Sequence, residues 1–160
     1  MSFTSRIDLS DHVRKQACGL LQARLSDALD LEAQAKQAHW NVKGPHFLQL
    51  HQLFDSVHDE IEQFVDLLAE RITTLGHVAD GRVTTTAAAT TLYGYPLEAT
   101  GGEAHLKALA ASLGAFGKAV REAIDQAGVI GDADTADLFT QVSRETDKQL
   151  WFLEAHLQAH

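Results

Sequence analysis

Two pairs of side chains in the middle of the sequence have the residue types and the spacing of a metal site. His51 and Asp55 form one pair, and Asp66 and Glu70 form the other, with the partners four positions apart in each case. In an α-helix this spacing places both side chains of a pair on one face, one turn apart. Imidazole with carboxylate suits iron, and zinc or manganese can compete for the same ligands. The pairs therefore predict a transition-metal site, with a solvated acidic face as the alternative for either pair alone.

The two pairs lie along one stripe of the same predicted helix. The step from Asp55 to Asp66 is three turns, with a net rotation of only about 20°, and Asp59 and Glu62 fall on this stripe as well. At the rise of an α-helix, however, Asp55 and Asp66 are about 16 Å apart along the axis. One metal centre cannot join them within a single chain.

Two copies of the helix remove this problem of distance. Packed antiparallel about a two-fold axis, they bring His51 and Asp55 of one chain against Asp66 and Glu70 of the other, and symmetry gives two such sites per dimer. His39 adds a second imidazole, because it lies at the end of the preceding helix, just before the chain reverses toward His51. We therefore expect the metal site to lie between subunits.

A metal site inside one bundle is not expected. Bundles that hold a di-iron site between their own helices carry a Glu-x-x-His motif on two helices. None of the nine histidines follows a glutamate by three residues, and the nearest approach, Asp55-Ser56-Val57-His58, occurs once.

Four long segments with helical periodicity position these residues. Gly44-Pro45 separates the first two, because glycine suits the left-handed position after a helix and proline cannot continue one. Ser10 and Asp11 are candidate caps of the first helix, and Gly128 is the expected end of the third. The segments cover about residues 10–42, 46–76, 103–127 and 134–158.

The order of these segments predicts an all-α fold. A long Thr- and Ala-rich connection, with room for a short helix over its Ala run, separates the second segment from the third. Two helices, a crossover and two more helices form the topology of a ferritin-like four-helix bundle. No internal repeat or linker divides residues 1–160, so we expect a single domain.

Composition narrows the class of protein. The formal charge of -9, from 13 basic and 22 acidic side chains, attracts cations and disfavours nucleic acid and anionic membranes. No apolar run approaches the roughly 18 residues of a membrane span, and residues 1–11 lack a signal pattern. Cys18 is the only cysteine, which excludes an intrachain disulfide and favours the cytoplasm. We expect Cys18 to be a small core residue.

The stretch at residues 36–76, KQAHWNVKGPHFLQLHQLFDSVHDEIEQFVDLLAERITTLG, resembles the Dps family, the DNA-binding proteins from starved cells, which are mini-ferritins. The matches continue into the fourth helix, so the resemblance covers nearly the whole chain. The matching positions are His39-Trp40-Asn41-Val42, Gly44, Phe47, Leu50-His51, Asp55, Ala69-Glu70-Arg71, Asp134-Thr135-Ala136-Asp137, Asp147-Lys148 and Trp151-Phe152.

The resemblance implies a hollow homododecamer with tetrahedral symmetry. It also implies a ferroxidase that oxidises ferrous iron, preferably with hydrogen peroxide rather than oxygen, and stores the ferric product inside, which protects against oxidative damage. Carried over by position, one subunit supplies His39, His51 and Asp55, and its two-fold partner supplies Asp66 and Glu70. These assignments agree with the geometric argument.

Other residues receive roles from the resemblance. Trp40 would lie close to the metals and donate electrons, or else pack at the dimer contact, whereas Trp151 is expected in the core. Arg71 and Asp147 resemble an ion pair across subunits. Three aspartates would line three-fold pores for iron entry, although capping of the fourth helix is the alternative role for an aspartate there: Asp132, Asp134 and Asp137.

The chain departs from family members that condense DNA, which usually carry a mobile, Lys-rich tail. Residues 1–11 contain only Arg6 as a basic side chain, and residues 154–160 contain neither Lys nor Arg. We expect DNA binding to be weak or absent at neutral pH and nucleoid association to be absent. A DNA-compacting protein and a metal buffer without catalysis are the alternative functions. The sequence assigns no role to His58, His77, His156 or His160.

Overall fold

The computed structural model describes residues 3–158, which fold into four long helices and one short helix. The helices are α1 (Asp11–Asn41), α2 (Phe47–Thr74), α3 (Val83–Ala89), α4 (Gly102–Ile130) and α5 (Ala133–Leu157). This part of the chain contains no strand, only an isolated bridge between Lys43 and Gly101. The predicted all-α fold is confirmed, and so is the short helix in the crossover.

The helix boundaries follow local capping chemistry. The Ser10 side chain accepts a hydrogen bond from the Val13 N–H at the start of α1, as predicted. The predicted end of α4 at Gly128 is wrong, because the helix continues to Ile130 and closes at Gly131. Gly131 has a φ of 85°, a left-handed conformation that glycine adopts without the steric cost of a Cβ atom.

The four long helices enclose one apolar core. α1 packs on α2, α4 packs on α5, and α1–α4 and α2–α5 contacts close the bundle. Phe64 and Phe116 stack across the interior with ring centroids 6.5 Å apart, and Phe54 and Phe139 are fully buried beside them in the core. Burial of each such ring stabilises the fold by about 1.5–3 kcal/mol.

The prediction that Trp151 lies in the core is wrong. Its side chain is 61% exposed, because it lies on the outer face of α5. The inner face carries Gln149 and Leu153, and a residue two positions from either lies about 200° around the helix. Phe152 contacts the Trp151 ring at a centroid distance of 5.1 Å.

Buried polar side chains hold the crossover, residues 75–101, against the bundle. The fully buried Asp27 of α1 accepts a hydrogen bond of 2.7 Å from the Thr91 N–H, and Gln34 donates one of 3.1 Å to the Tyr93 carbonyl. Farther along, the Tyr95 hydroxyl and Nδ1 of His105, a fully buried residue of α4, are 2.6 Å apart. The crossover is therefore bonded to both α1 and α4.

Cys18 is buried in the core, as predicted. Burial raises the pKa of its thiol to about 11, so the reactive thiolate form is scarce at neutral pH. Among residues 3–158, no helix combines the length and apolar character needed to cross a membrane.

Candidate metal centre

The turn between α1 and α2 determines which side chains meet at this end of the bundle. Residues 42–46 join the helices, and Gly44 takes a φ of 118° that permits the reversal. The Lys43 N–H donates a hydrogen bond of 3.0 Å to the Thr100 carbonyl, which ties the turn to the end of the crossover, just before α4. The last turn of α1 thus lies against the first turns of α2.

His39 of α1 and His51 of α2 meet across this turn and bond to each other's backbone. Nδ1 of His39 lies 2.9 Å from the His51 carbonyl oxygen, and Nδ1 of His51 lies 2.8 Å from the His39 carbonyl oxygen. The rings stack with centroids 3.7 Å apart and an interplanar angle of 23°. Phe47 packs beside His51 at a centroid distance of 5.1 Å.

These two bonds determine the tautomer of each neutral ring. A carbonyl oxygen only accepts hydrogen bonds, so Nδ1 of both His39 and His51 must carry the proton and donate. In a neutral imidazole the lone pair is then on Nε2, the atom available to a metal ion. The backbone thus acts as the orienting partner that metal-ligating histidines commonly have.

Asp55 lies one turn beyond His51 on α2 and joins this pair. One of its carboxylate oxygens, Oδ1, is 3.6 Å from Nδ1 of His39 and is hydrogen-bonded by the Lys36 ammonium. This hydrogen bond holds the pKa of the Asp55 carboxyl below its usual range. Lys36 therefore supplies the positive charge beside Asp55, which a bound metal cation would otherwise supply.

The chain places three of the five predicted ligands, His39, His51 and Asp55, near one another, although their ligand atoms do not all lie within 4.8 Å of one another, and it leaves the other two apart. Asp66 and Glu70 are both exposed, farther along α2. In the part of the chain that the structure describes, neither belongs to a group of three metal-ligating side chains. Their use by a partner subunit stays a prediction.

Trp40 follows His39 but lies on the outer surface, where its side chain is 69% exposed. Phe47 and Leu48, at the start of α2, are exposed apolar side chains as well. Neither the electron-donor role nor the dimer-contact role of Trp40 is tested by a single chain, and both stay predictions.

The three aspartates predicted to line a pore have different surroundings. Asp132 is 1% exposed and accepts hydrogen bonds from Arg71, at 2.8 Å, and from the N–H and hydroxyl of Thr135. It caps α5, the alternative role given above, and both of its carboxylate oxygens are hydrogen-bonded within the chain. Its pore role in an assembly stays a prediction. Asp134 and Asp137 are exposed, and their pore role remains a prediction.

Arg71 and Asp147, which are expected to form an ion pair across subunits, each have another partner within the chain. Arg71 bonds to Asp132, as described above, and Asp147 accepts a bond of 2.8 Å from Arg121. The intersubunit pair stays a prediction that would require these contacts to be shared or exchanged.

Sequence reasoning missed the roles of two groups. Lys36 lies three residues before His39, so helical spacing places both on one side of α1, and this signal could have been found. The pairing of Tyr95 with His105 had no periodic signal, because Tyr95 lies in an irregular segment. Among the remaining histidines, the exposed His156 faces the Phe152 carbonyl of its own helix at 2.8 Å, and His160 lies outside the described residues.

Comparisons with known proteins agree with this architecture. A family model described as a ferritin-like domain matches residues 18–159. A DNA protection during starvation protein from Agrobacterium fabrum is 40% identical over 151 residues, which cover 94% of this chain and 93% of that relative.

Solved structures give the same result at the level of the fold. DpsC from Streptomyces coelicolor superposes with a TM-score of 0.95 at 29% identity, covering 100% of this chain and 94% of that one. The tetragonal form of Mycobacterium smegmatis Dps gives 0.93 at 31% identity, covering 99% and 96%. The chain belongs to the Dps family of ferritin-like proteins, as the sequence predicted.

Proposed function

We propose that the protein oxidises ferrous iron at di-metal sites shared between two subunits and stores the ferric product inside a shell of twelve. The reciprocal bonding of His39 and His51 is the observation that carries this proposal. It leaves Nε2 of each neutral ring without the proton and free to bind a metal ion, and Asp55 lies next to His39. Two imidazoles and a carboxylate are a ligand set that suits iron. Family membership supports the link to iron.

In the proposed mechanism the first subunit contributes His39, His51 and Asp55, and the partner contributes its copies of Asp66 and Glu70. The carboxylates bind the ions and partly neutralise their charge. Entry of iron moves Lys36 away from Asp55, since the two positive charges repel each other beside the same carboxylate.

The pairing of two ions determines the products of oxidation. Two ferrous ions each release one electron, and one hydrogen peroxide takes up both electrons with two protons to give two waters. Because the two electrons arrive together, no hydroxyl radical is released. A single ferrous ion would supply one electron only, so a paired site accounts for protection against oxidative damage.

Charge supports iron uptake over DNA binding as the main activity. The net charge of -9 attracts cations and repels phosphate backbones. DNA protection is named for the Agrobacterium fabrum relative, and DNA compaction is therefore the second candidate function. We expect no gel shift of duplex DNA at neutral pH and moderate salt, and a tight complex under these conditions would establish the second function instead.

Ferrous oxidation by peroxide and by oxygen, followed spectroscopically in the assembled protein, tests the proposal. Asp66→Ala/Glu70→Ala removes two of the proposed ligands, so the oxidation rate should fall by about 100-fold or more. Loss of a group that only orients a ligand already costs up to about 100-fold. Glu122→Ala/Asp125→Ala, which removes two exposed carboxylates of α4, is the matched control and should keep the wild-type rate. Iron binding without turnover in the wild type would favour the metal buffer.

The size of the particle tests the shell separately. Light scattering should give about twelve times the 17.4 kDa mass of the chain. A monomer that oxidises iron at the full rate would exclude a shared site.

A further inference from the structure

A second group of metal-ligating side chains lies one turn along α2 from the site already described. His58 and Asp59 follow Asp55 by three and four residues, a spacing that places all three on one face of the helix. One ligand atom of each residue lies within 4.8 Å of those of the other two. It is the only such group of three among residues 3–158.

The imidazole of His58 is held by a carboxylate from another helix. Oε1 of Glu32, on α1, is 3.2 Å from Nε2 of His58, while Nδ1 of the same ring is 3.1 Å from Oδ1 of Asp59. Histidines that bind metals usually donate their other ring N–H to a carboxylate or carbonyl, which orients the ring. Glu32 is in the position of that orienting group, and it directs Nδ1 toward Asp59.

We propose that Asp55, His58 and Asp59 of one subunit bind a divalent transition-metal ion, with Glu32 as the positioning residue. One imidazole nitrogen and two carboxylate oxygens select Fe²⁺, Zn²⁺, Mn²⁺ or Co²⁺. Binding displaces any proton on Nδ1. The Lys36 contact involves one oxygen of Asp55, and the other oxygen has no such contact.

This site differs from the shared di-metal site in its composition. All its ligands come from one chain, so it needs no two-fold partner, and it has only Asp55 in common with the other site. It therefore does not rest on the proposed oxidation chemistry.

Titration of metal-free, assembled protein with Co²⁺ alone tests this proposal. The background is Asp66→Ala/Glu70→Ala, which removes the partner's contribution to the shared site. Equilibrium dialysis should show one bound Co²⁺ per subunit, and visible absorption should report a nitrogen ligand. Adding His58→Ala should weaken this binding by about tenfold or more. Adding His156→Ala, a change of an exposed histidine on α5, should leave it unchanged.

The role of Glu32 is tested on the same background. Glu32→Ala should weaken Co²⁺ binding by about 10–100-fold, and Glu32→Gln should restore part of the loss, because its amide oxygen still accepts from Nε2. The unfolding temperatures of the background, Glu32→Gln and Glu32→Ala proteins should not fall in the same order as their Co²⁺ affinities, because Glu32 acts on the metal site and not on the stability of the fold. If His58→Ala does not assemble, His58→Gln replaces it. The proposal would be overturned if the Co²⁺ titrations of the Asp66→Ala/Glu70→Ala background and of its His58 variant were identical. An equal loss of Co²⁺ affinity with His156→Ala would also overturn it.

Discussion

His39 and His51 each direct Nδ1 at the other's backbone carbonyl, at 2.9 and 2.8 Å. This reciprocal arrangement positions two imidazoles before any metal binds. Both rings should therefore be in the Nδ1–H tautomer when they are neutral and metal-free. Nitrogen-15 NMR of histidine-labelled, metal-free protein distinguishes the tautomers, with His39→Gln and His51→Gln as assignment controls. Signals of the Nε2–H tautomer from either ring would contradict the arrangement.

Asp132 should matter for the stability of the fold. Asp132→Ala leaves Arg71 without its buried partner and removes the cap of α5, so we expect the free energy of unfolding to fall by about 3 kcal/mol. Asp134→Ala, where the side chain is 86% exposed, should change it by less than about 0.5 kcal/mol. Urea denaturation at one protein concentration measures both, and equal effects of the two variants would refute this role.

Asp134 and Asp137 should instead influence the rate of iron uptake. If these exposed carboxylates line a pore, Asp134→Asn/Asp137→Asn removes negative charge that concentrates cations, and ferrous entry should slow by about tenfold at low salt. Stopped-flow mixing of ferrous iron with the assembled shell measures this rate. An unchanged rate in the variant would exclude the pore role.

His105 should make the stability of the fold depend on pH. Burial lowers its pKa below the ordinary value of 6.5. Between 6.5 and the lowered value the unfolded chain binds a proton that the folded chain does not, so the free energy of unfolding falls as the pH falls through this window. Above pH 6.5 the histidine is neutral in both states and its contribution is complete.

The matched variant for this prediction is His105→Gln, which cannot titrate but can still bond to Tyr95. Chemical denaturation at a series of pH values should show a shallower decline below pH 6.5 for the variant than for the wild type. Identical slopes would mean that His105 does not contribute.

The sequence predicted the long helices and most of their apolar faces, because periodicity reports which side of a helix is buried. It could not predict where α4 ends, since both Gly128 and Gly131 suit a left-handed cap and only the fold selects one. The residue type of Trp151 favours the core, but its position two residues before the buried Leu153 places it on the outer face of α5.

For the proposed metal centre, the sequence predicts five ligands but not their surroundings. Periodicity does not give the register of α1 against α2, which decides that Lys36 meets Asp55 and that Glu32 meets His58. The bonds between imidazole and carbonyl at His39 and His51 depend on the backbone of the turn. They follow from three-dimensional packing and have no counterpart in residue spacing.

The central claim, that two subunits complete each site, is tested most directly by mixing inactive variants. One variant, His51→Ala/Asp55→Asn, lacks the first set of ligands, and the other, Asp66→Asn/Glu70→Gln, lacks the second. In shells coexpressed at equal levels, each mixed dimer contains one intact site, so about a quarter of the wild-type ferrous oxidation rate should return. If the mixed shells are no more active than either variant alone, the ligands do not act across two subunits.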